Sequence, residues 1–348
     1  MARKDGTVPS PTMARIAERA GTSVPTVSKV LNGGTDVSEA TRARVMGAAH
    51  ELGYKRKPRA GAVTDGRRTP HVVDVIVKHL EGSWINRVLE GIERESAAAG
   101  VDLVLAVAHP DDAWIGRILR RPTLGAIVVL VDASAGQLNM LTTGAIPVVV
   151  VDPIIRPPAD VASVGVTNWD GGRIAAEHLL ELGHSRIGVI GGSRSQLSTS
   201  ARVDGITTAL REAGIDVPPS WLAYADWDRD RARLAAKHML TGATRPTAIF
   251  AGSDVMALGV YDAASELGFS IPEDLSVVGF DDVDEAAWAA PPMTTIQQPI
   301  FDMGAAAFRM LHQLDRGARP ASTVPVPTRI ELETRLIRRS STASPATL

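Results

Sequence analysis

The sequence predicts a small all-α unit at the N-terminus, followed by an α/β body of two doubly wound, mostly parallel sheets. Three observations predict it. The first is charge. The 348 residues carry 37 Lys/Arg against 39 Asp/Glu, a formal net charge of −2. Residues 1–70 alone hold 13 against 6, a net of +7, and residues 71–348 hold 24 against 33, a net of −9. The second is a run of apolar residues at helical spacing, punctuated by Gly, between positions 11 and 54. The third is the alternation of short β-rich runs with helical stretches from position 71 onward, the pattern of successive βαβ units.

Composition removes several classes of function. Cysteine is absent, so disulfide frameworks, thiolate nucleophiles and cysteine-ligated zinc are excluded. No apolar run reaches the roughly 18 residues of a membrane span, and the N-terminus lacks the apolar stretch of a secretory leader. The expectation is a cytoplasmic protein with no membrane partner. The length suits two or three domains, each able to bury its own core.

Taken in order, Met13, Ile16, Ala17 and Ala20 share one helical face, and Gly21 supplies the permissive backbone of a turn. Ser23 is placed to cap a second helix, with Pro25 in its first turn, where a missing N–H costs little. Val27, Val30 and Leu31 form its inward stripe, and Asn32-Gly33-Gly34 ends it. A third helix is expected from about Ser38 through Val45, Met46, Ala49 and Leu52 to Gly53. Two short helices around a Gly-containing turn, buttressed by a third, make a helix-turn-helix layout. Its second helix enters the major groove N-terminal end first, so Val24, Pro25, Thr26, Ser28 and Lys29 would face DNA. The same spacing suits a three-helix bundle without nucleic acid, and the local +7 favours DNA.

The runs Ala14-Arg15-Ile16-Ala17-Glu18-Arg19-Ala20-Gly21-Thr22-Ser23, Thr26-Val27-Ser28-Lys29-Val30-Leu31-Asn32-Gly33, Val37-Ser38 and Thr41-Arg42 resemble the headpiece of the LacI/GalR family of transcriptional repressors. By that resemblance Val24 and Pro25 match the two main base-reading positions, and Lys29 the Arg/Lys that contacts guanine. Val24 and Pro25 are apolar, so they suit thymine methyls and make no bidentate hydrogen bonds. Thr12, Ser23, Ser28 and Asn32 match positions that bind phosphate or support the turn. Ser28 equally suits a solvated or capping role, and Asn32 a helix end.

Residues 57–70 form the linker after a headpiece of residues 1–56. Where the family usually has Pro-Asn and a short hinge helix with a Leu that wedges into the minor groove, this chain has Lys55-Arg56-Lys57-Pro58-Arg59, with Val63 at the wedge position. Two readings stay open: a hinge helix with a smaller wedge, or a basic arm in which Lys55, Arg56 and Lys57 bind phosphates.

The body is expected over residues 71–340. Strands are predicted at 72–77, 101–107, 126–131, 148–151, 164–166, 187–190, 221–224, 248–250 and 277–280, alternating with helices near 86–99, 172–182, 202–213, 229–240 and 255–267. About eleven strands are too many for one such sheet, and the division into two lobes is expected near residues 152–160. Asp152, Asp254 and Asp281 follow strand ends, where doubly wound sheets bind ligands. Facing strand ends of two lobes make a clamshell for a small ligand.

The family resemblance continues through this periplasmic-binding-protein-like body, in His178-Leu179-Leu180-Glu181-Leu182-Gly183-His184, in Ser253-Asp254 with Met256-Ala257-Leu258-Gly259, in Val278-Gly279-Phe280-Asp281-Asp282, and in Pro292-Met293-Thr294-Thr295-Ile296 with Gln298-Pro299. It implies an effector pocket of Asp152, Arg202, Ser253, Asp281 and Gln298, with Trp84 and Trp227 as packing faces. Carboxylates and a guanidinium suit sugar hydroxyls, and flat indoles suit the C–H faces of a sugar ring. Ser253 stands where Asn is common. Asp254 reads more naturally as a cap for the helix at Val255 than as a ligand contact. Trp169 suits either the cleft or simple packing at a helix start.

No P-loop, Gly-x-Ser-x-Gly elbow or His-Glu-x-x-His occurs, and Gly191-Gly192 begins a phosphate-like turn without completing it. The expectation is a non-enzyme with no cofactor or metal. Its expected partners are pseudopalindromic double-stranded DNA, a mono- or oligosaccharide effector, and a second copy in a homodimer. Residues after Thr334 read as a polar tail, with 341–348 outside the body.

Overall fold

The computed structural model describes residues 12–31, 37–54, 72–109, 113–144, 146–317 and 329–345. The headpiece consists of α1 (Met13–Ala20), α2 (Val24–Leu31) and α3 (Glu39–Glu51). Thr12 caps α1 by accepting the Arg15 N–H, and Gly21 closes it in the left-handed region at φ 60°. Ile16, Ala17, Ala20, Val27, Val30 and Val45 are buried together between the three helices.

The first lobe begins with β1 (Val72–Val77), α4 (Ser83–Ala99), β2 (Asp102–Val107), α5 (Ala113–Arg120) and β3 (Gly125–Val129). It continues through α6 (Ala135–Thr143), β4 (Val148–Val151) and β5 (Ala162–Val166). The second lobe holds α7 (Asn168–Glu181), β6 (Ile187–Gly191), α8 (Leu197–Glu212) and β7 (Leu222–Tyr224). After these come α9 (Arg229–Leu240), β8 (Ala248–Ala251), α10 (Asp254–Leu267), β9 (Ser276–Asp281), α11 (Asp284–Trp288) and β10 (Thr294–Gln297). The chain then returns to the first lobe with α12 (Ile300–Gly317) and β11 (Arg329–Leu332), and ends in the second with β12 (Arg335–Ile337).

Each lobe is a six-stranded sheet, ordered β11-β5-β4-β3-β1-β2 and β12-β10-β9-β8-β6-β7. All pairs are parallel except β12 on β10. Apolar cores fill both faces of each sheet, which is why the central strands are continuous apolar runs such as Val148-Val149-Val150-Val151.

Three of the expectations need correction. The division does not fall at 152–160, because β5 beyond it pairs with β4 in the first sheet. The chain instead crosses between lobes three times, after β5, after β10 and after β11. Two crossings are stapled by threonines: Thr167 Oγ1 lies 3.1 Å from Thr334 Oγ1, and the Thr334 N–H donates to Thr167 Oγ1 at 3.0 Å. The strands number twelve among the described residues, with β10, β11 and β12 added to those expected. The described part of the polar tail, residues 335–345, belongs to the second lobe. Ser341 is fully buried, donating to the Val277 carbonyl and accepting the Thr294 N–H, so its polarity is spent inside the fold. Thr342 and the Ala343 carbonyl bond the buried side chains of His178 and His184.

Candidate effector cleft and DNA-facing helix

Strand ends from both lobes line a cleft of about 340 Å³. Lys78, Leu130 and Asp152 follow β1, β3 and β4; Ser253 and Gln298 follow β8 and β10, and Asp281 ends β9. Leu130, Asp152, Asp226, Trp227 and Asp281, all on its wall, have positive φ between 46° and 118°. Such backbone in a non-glycine residue is costly, and its concentration here marks a built site rather than a gap between lobes.

Arg202 is the centre of the wall. It sits in the second turn of α8 and is only 3 % exposed. Its Nε donates to Asn168 Oδ1 at 2.7 Å, and its Nη1 to the Gly252 carbonyl at 2.5 Å and to Asp281 Oδ1 at 3.4 Å. The guanidinium stacks 3.7 Å from the Phe280 ring centroid. The local sequence sets this height. A Cβ on Gly205 would meet the Trp169 carbonyl at 2.0 Å, and one on Gly172 the Arg202 carbonyl at 2.1 Å. The two glycines let α7 and α8 touch backbone to backbone, which fixes where Arg202 emerges.

Gln298 Nε2 donates to the same Asp281 oxygen at 2.5 Å. Burial pushes the Asp281 carboxyl up to about 7, against the opposing pull of Arg202 and the Gln298 hydrogen bond. Burial also raises Asp152, opposed by Arg202, and lowers Arg202, opposed by Asp281 and Asp152. Trp227 Nε1 donates to Gln196 Oε1 at 2.8 Å, and its ring lies where a Cβ on Gly192 would be, 2.3 Å away. Gly192 therefore makes room for the Trp227 indole.

Two acceptors of the cleft have no partner among the described residues. Gln298 Oε1 and Glu285 Oε2 are buried and unmet. Ser83 Oγ donates to Glu285 Oε1 from the opposite lobe at 2.6 Å.

In the headpiece, Ser23 Oγ accepts the Thr26 N–H at 3.3 Å and lies 2.8 Å from Thr26 Oγ1. Val27, Val30 and Leu31 face the core, while Val24 is 44 % exposed and Pro25 and Lys29 are exposed. Ser28 is half-buried on the same helix. An exposed apolar residue at the leading end of α2 is what base contact requires of it.

Residues 12–57 match the bacterial regulatory proteins of the lacI family, and residues 176–342 match the periplasmic binding protein-like domain. The HTH-type transcriptional repressor PurR of Klebsiella pneumoniae (strain 342) is 33 % identical over 342 residues, covering 95 % of this chain and 97 % of its own. The chain belongs to the LacI family. It is a DNA-binding transcriptional repressor with an effector-binding domain. Among solved structures, the transcriptional regulator CelR in complex with cellobiose superimposes with a TM-score of 0.73 at 30 % identity, over 95 % of this chain and 99 % of that one. The lac repressor dimer bound to operator and the anti-inducer ONPF gives 0.70 at 26 % identity, over 96 % and 100 %.

In this LacI-family chain the fold brings all seven sequence-expected pocket residues, Trp84, Asp152, Arg202, Trp227, Ser253, Asp281 and Gln298, to the one cleft. Ser253 has a second task. Its hydroxyl caps α10 by accepting the Met256 N–H at 3.2 Å. Asp254 is therefore not the cap. It is fully buried, accepting the Val283 N–H at 3.0 Å and the Thr295 hydroxyl at 2.5 Å, and so ties α10 to β10 beneath the cleft. Trp169 lies outside the cleft. Asn32, Lys55, Arg56, Lys57 and Val63 fall outside the described residues. Sequence reasoning missed Ser83, Gln196, Ser198 and Glu285. Glu285 follows Asp281 by four positions, and that proximity to a strand end was its only signal. None of the described helices is long and apolar enough to cross a membrane.

Proposed function

We propose that this repressor senses a neutral sugar held in the cleft, and that binding changes the angle between the lobes and hence operator affinity. The observation that carries this reading is the pair of buried unmet acceptors, Gln298 Oε1 and Glu285 Oε2, in a cleft also lined by Asp152, Arg202, Trp84 and Trp227. A polyhydroxy ring offers hydroxyl donors to those oxygens and C–H faces to Trp84 and Trp227. The charge balance of the wall selects against anions. Glu81, Asp152, Asp281 and Glu285 outnumber Lys78 and Arg202, Asp226 being paired with Arg231, and Arg202 already bonds Asp281. A sugar phosphate or a carboxylate is thereby disfavoured.

The DNA-facing residues are Val24 and Pro25 on thymine methyls, Lys29 on guanine, and Thr12, Ser23, Thr26 and Ser28 on phosphate or the turn. The protein acts as a homodimer that sets two headpieces on a pseudopalindrome, a reading supported by its likeness to the lac repressor dimer bound to operator. Coupling requires only that the sugar bind one lobe angle a few kcal/mol better than the other. A thermal-shift screen against neutral sugars and their phosphates tests the effector class. A melting shift with neutral sugars alone supports it; shifts only with phosphorylated or non-sugar ligands overturn it.

A further inference from the structure

Trp169 points to a second site. It stands in the first turn of α7, 39 % exposed, with the Arg173 guanidinium 5.8 Å from its ring. It lines a separate cavity of about 250 Å³, comparable in size to the cleft. The walls are Arg156, Ser163, Arg329 and Glu331 from the first lobe and Asn168, Trp169 and Ala201 from the second. Two residues, Asp152 and Ser198, line both this cavity and the cleft. Asp152, a residue only 8 % exposed, is thus a wall common to the two spaces.

We propose that the effector site runs past Asp152 into this second cavity, so that the effector is a linear oligosaccharide. One sugar unit lies between Trp84 and Trp227 and a further unit lies on the Trp169 face. The inference rests on reading the cleft as a sugar site and extends it in length. Its chemistry matches that of the cleft: an exposed indole, an amide and alternating charged side chains, which together suit ring faces and hydroxyls. Asp152, at the junction, is placed to accept hydroxyls from both units. The second cavity also straddles the lobes, so a ligand in it senses the same lobe angle as one in the cleft.

The test is isothermal titration of the full chain with glucose, cellobiose, cellotriose and cellotetraose, and with xylose and its β-1,4-linked oligomers. The expected result is at least a tenfold gain in affinity when one added unit passes from the cleft into the second cavity. In Trp169→Ala the ratio of long-chain to short-chain affinity falls toward one, and in Trp169→Phe it is largely kept. Using a ratio within one variant removes any general loss of stability from the comparison. If monosaccharides bind as tightly as longer chains, or if the gain survives Trp169→Ala, the second cavity is no subsite and only this inference fails. If none of these or other neutral sugars binds, the sugar reading of the cleft fails and this inference with it.

Discussion

Ser83 Oγ donates a 2.6 Å hydrogen bond to Glu285 Oε1, joining the first turn of α4 in one lobe to α11 in the other across the cleft mouth. A hydrogen bond to a carboxylate contributes roughly 1.5–3 kcal/mol when partly buried. Ser83→Ala removes it and leaves both Glu285 oxygens unmet. Effector affinity is expected to fall about tenfold, with operator affinity in the absence of effector changed less. Parallel titrations of ligand and operator measure the two.

Asp281 titrates near neutrality because burial outweighs Arg202 and Gln298. Between about pH 4 and 7 the folded carboxyl holds a proton that the unfolded one, near 3.8, has lost. Stability of the ligand-free protein is therefore expected to fall as pH rises through that window, and to fall less in Asp281→Asn. A sugar that donates hydroxyls to this carboxylate favours its ionised form. Binding below pH 7 then releases protons, and affinity rises with pH up to about 7 and levels off. Calorimetry in two buffers of different ionisation enthalpy detects the release.

The Trp227 ring occupies the space a Cβ on Gly192 would take. Gly192→Ala is expected to displace the indole and weaken effector binding at least fivefold, without the cavity that Trp227→Ala leaves. Tryptophan fluorescence with ligand titration follows both changes.

Ser341 bonds the Val277 carbonyl and the Thr294 N–H from a fully buried position. Ser341→Ala strands a buried donor and acceptor, at about 1–3 kcal/mol. A lowered denaturation midpoint with unchanged slope is the expected result.

The cleft was legible in the sequence because its residues lie at strand ends or in the family's fixed runs. Asp152 follows four valines, and Arg202 precedes Gly205 by three. The lobe boundary was not legible. The apolar run of β5 has the same local pattern whichever sheet it joins, and only its pairing with Val149-Val150-Val151 decides. Arg329-Ile330-Glu331-Leu332 and Arg335-Leu336-Ile337 are short edge strands with polar alternation, and the sequence around them offers little to separate them from a tail. Ser341 read as solvated because polarity is usually exposed; its burial depends on partners 47 and 64 residues away. Asp254 read as a cap because the true cap, Ser253, lies one residue before it.

The most direct measurement is operator affinity of the full chain, by fluorescence anisotropy at fixed salt, with and without a neutral sugar that binds it, in wild type and in Asp281→Asn. An effector that works through Arg202 and Asp281 shifts wild-type affinity at least tenfold and leaves that of Asp281→Asn unmoved. An Asp281→Asn protein that still responds like wild type would place the sensing site elsewhere.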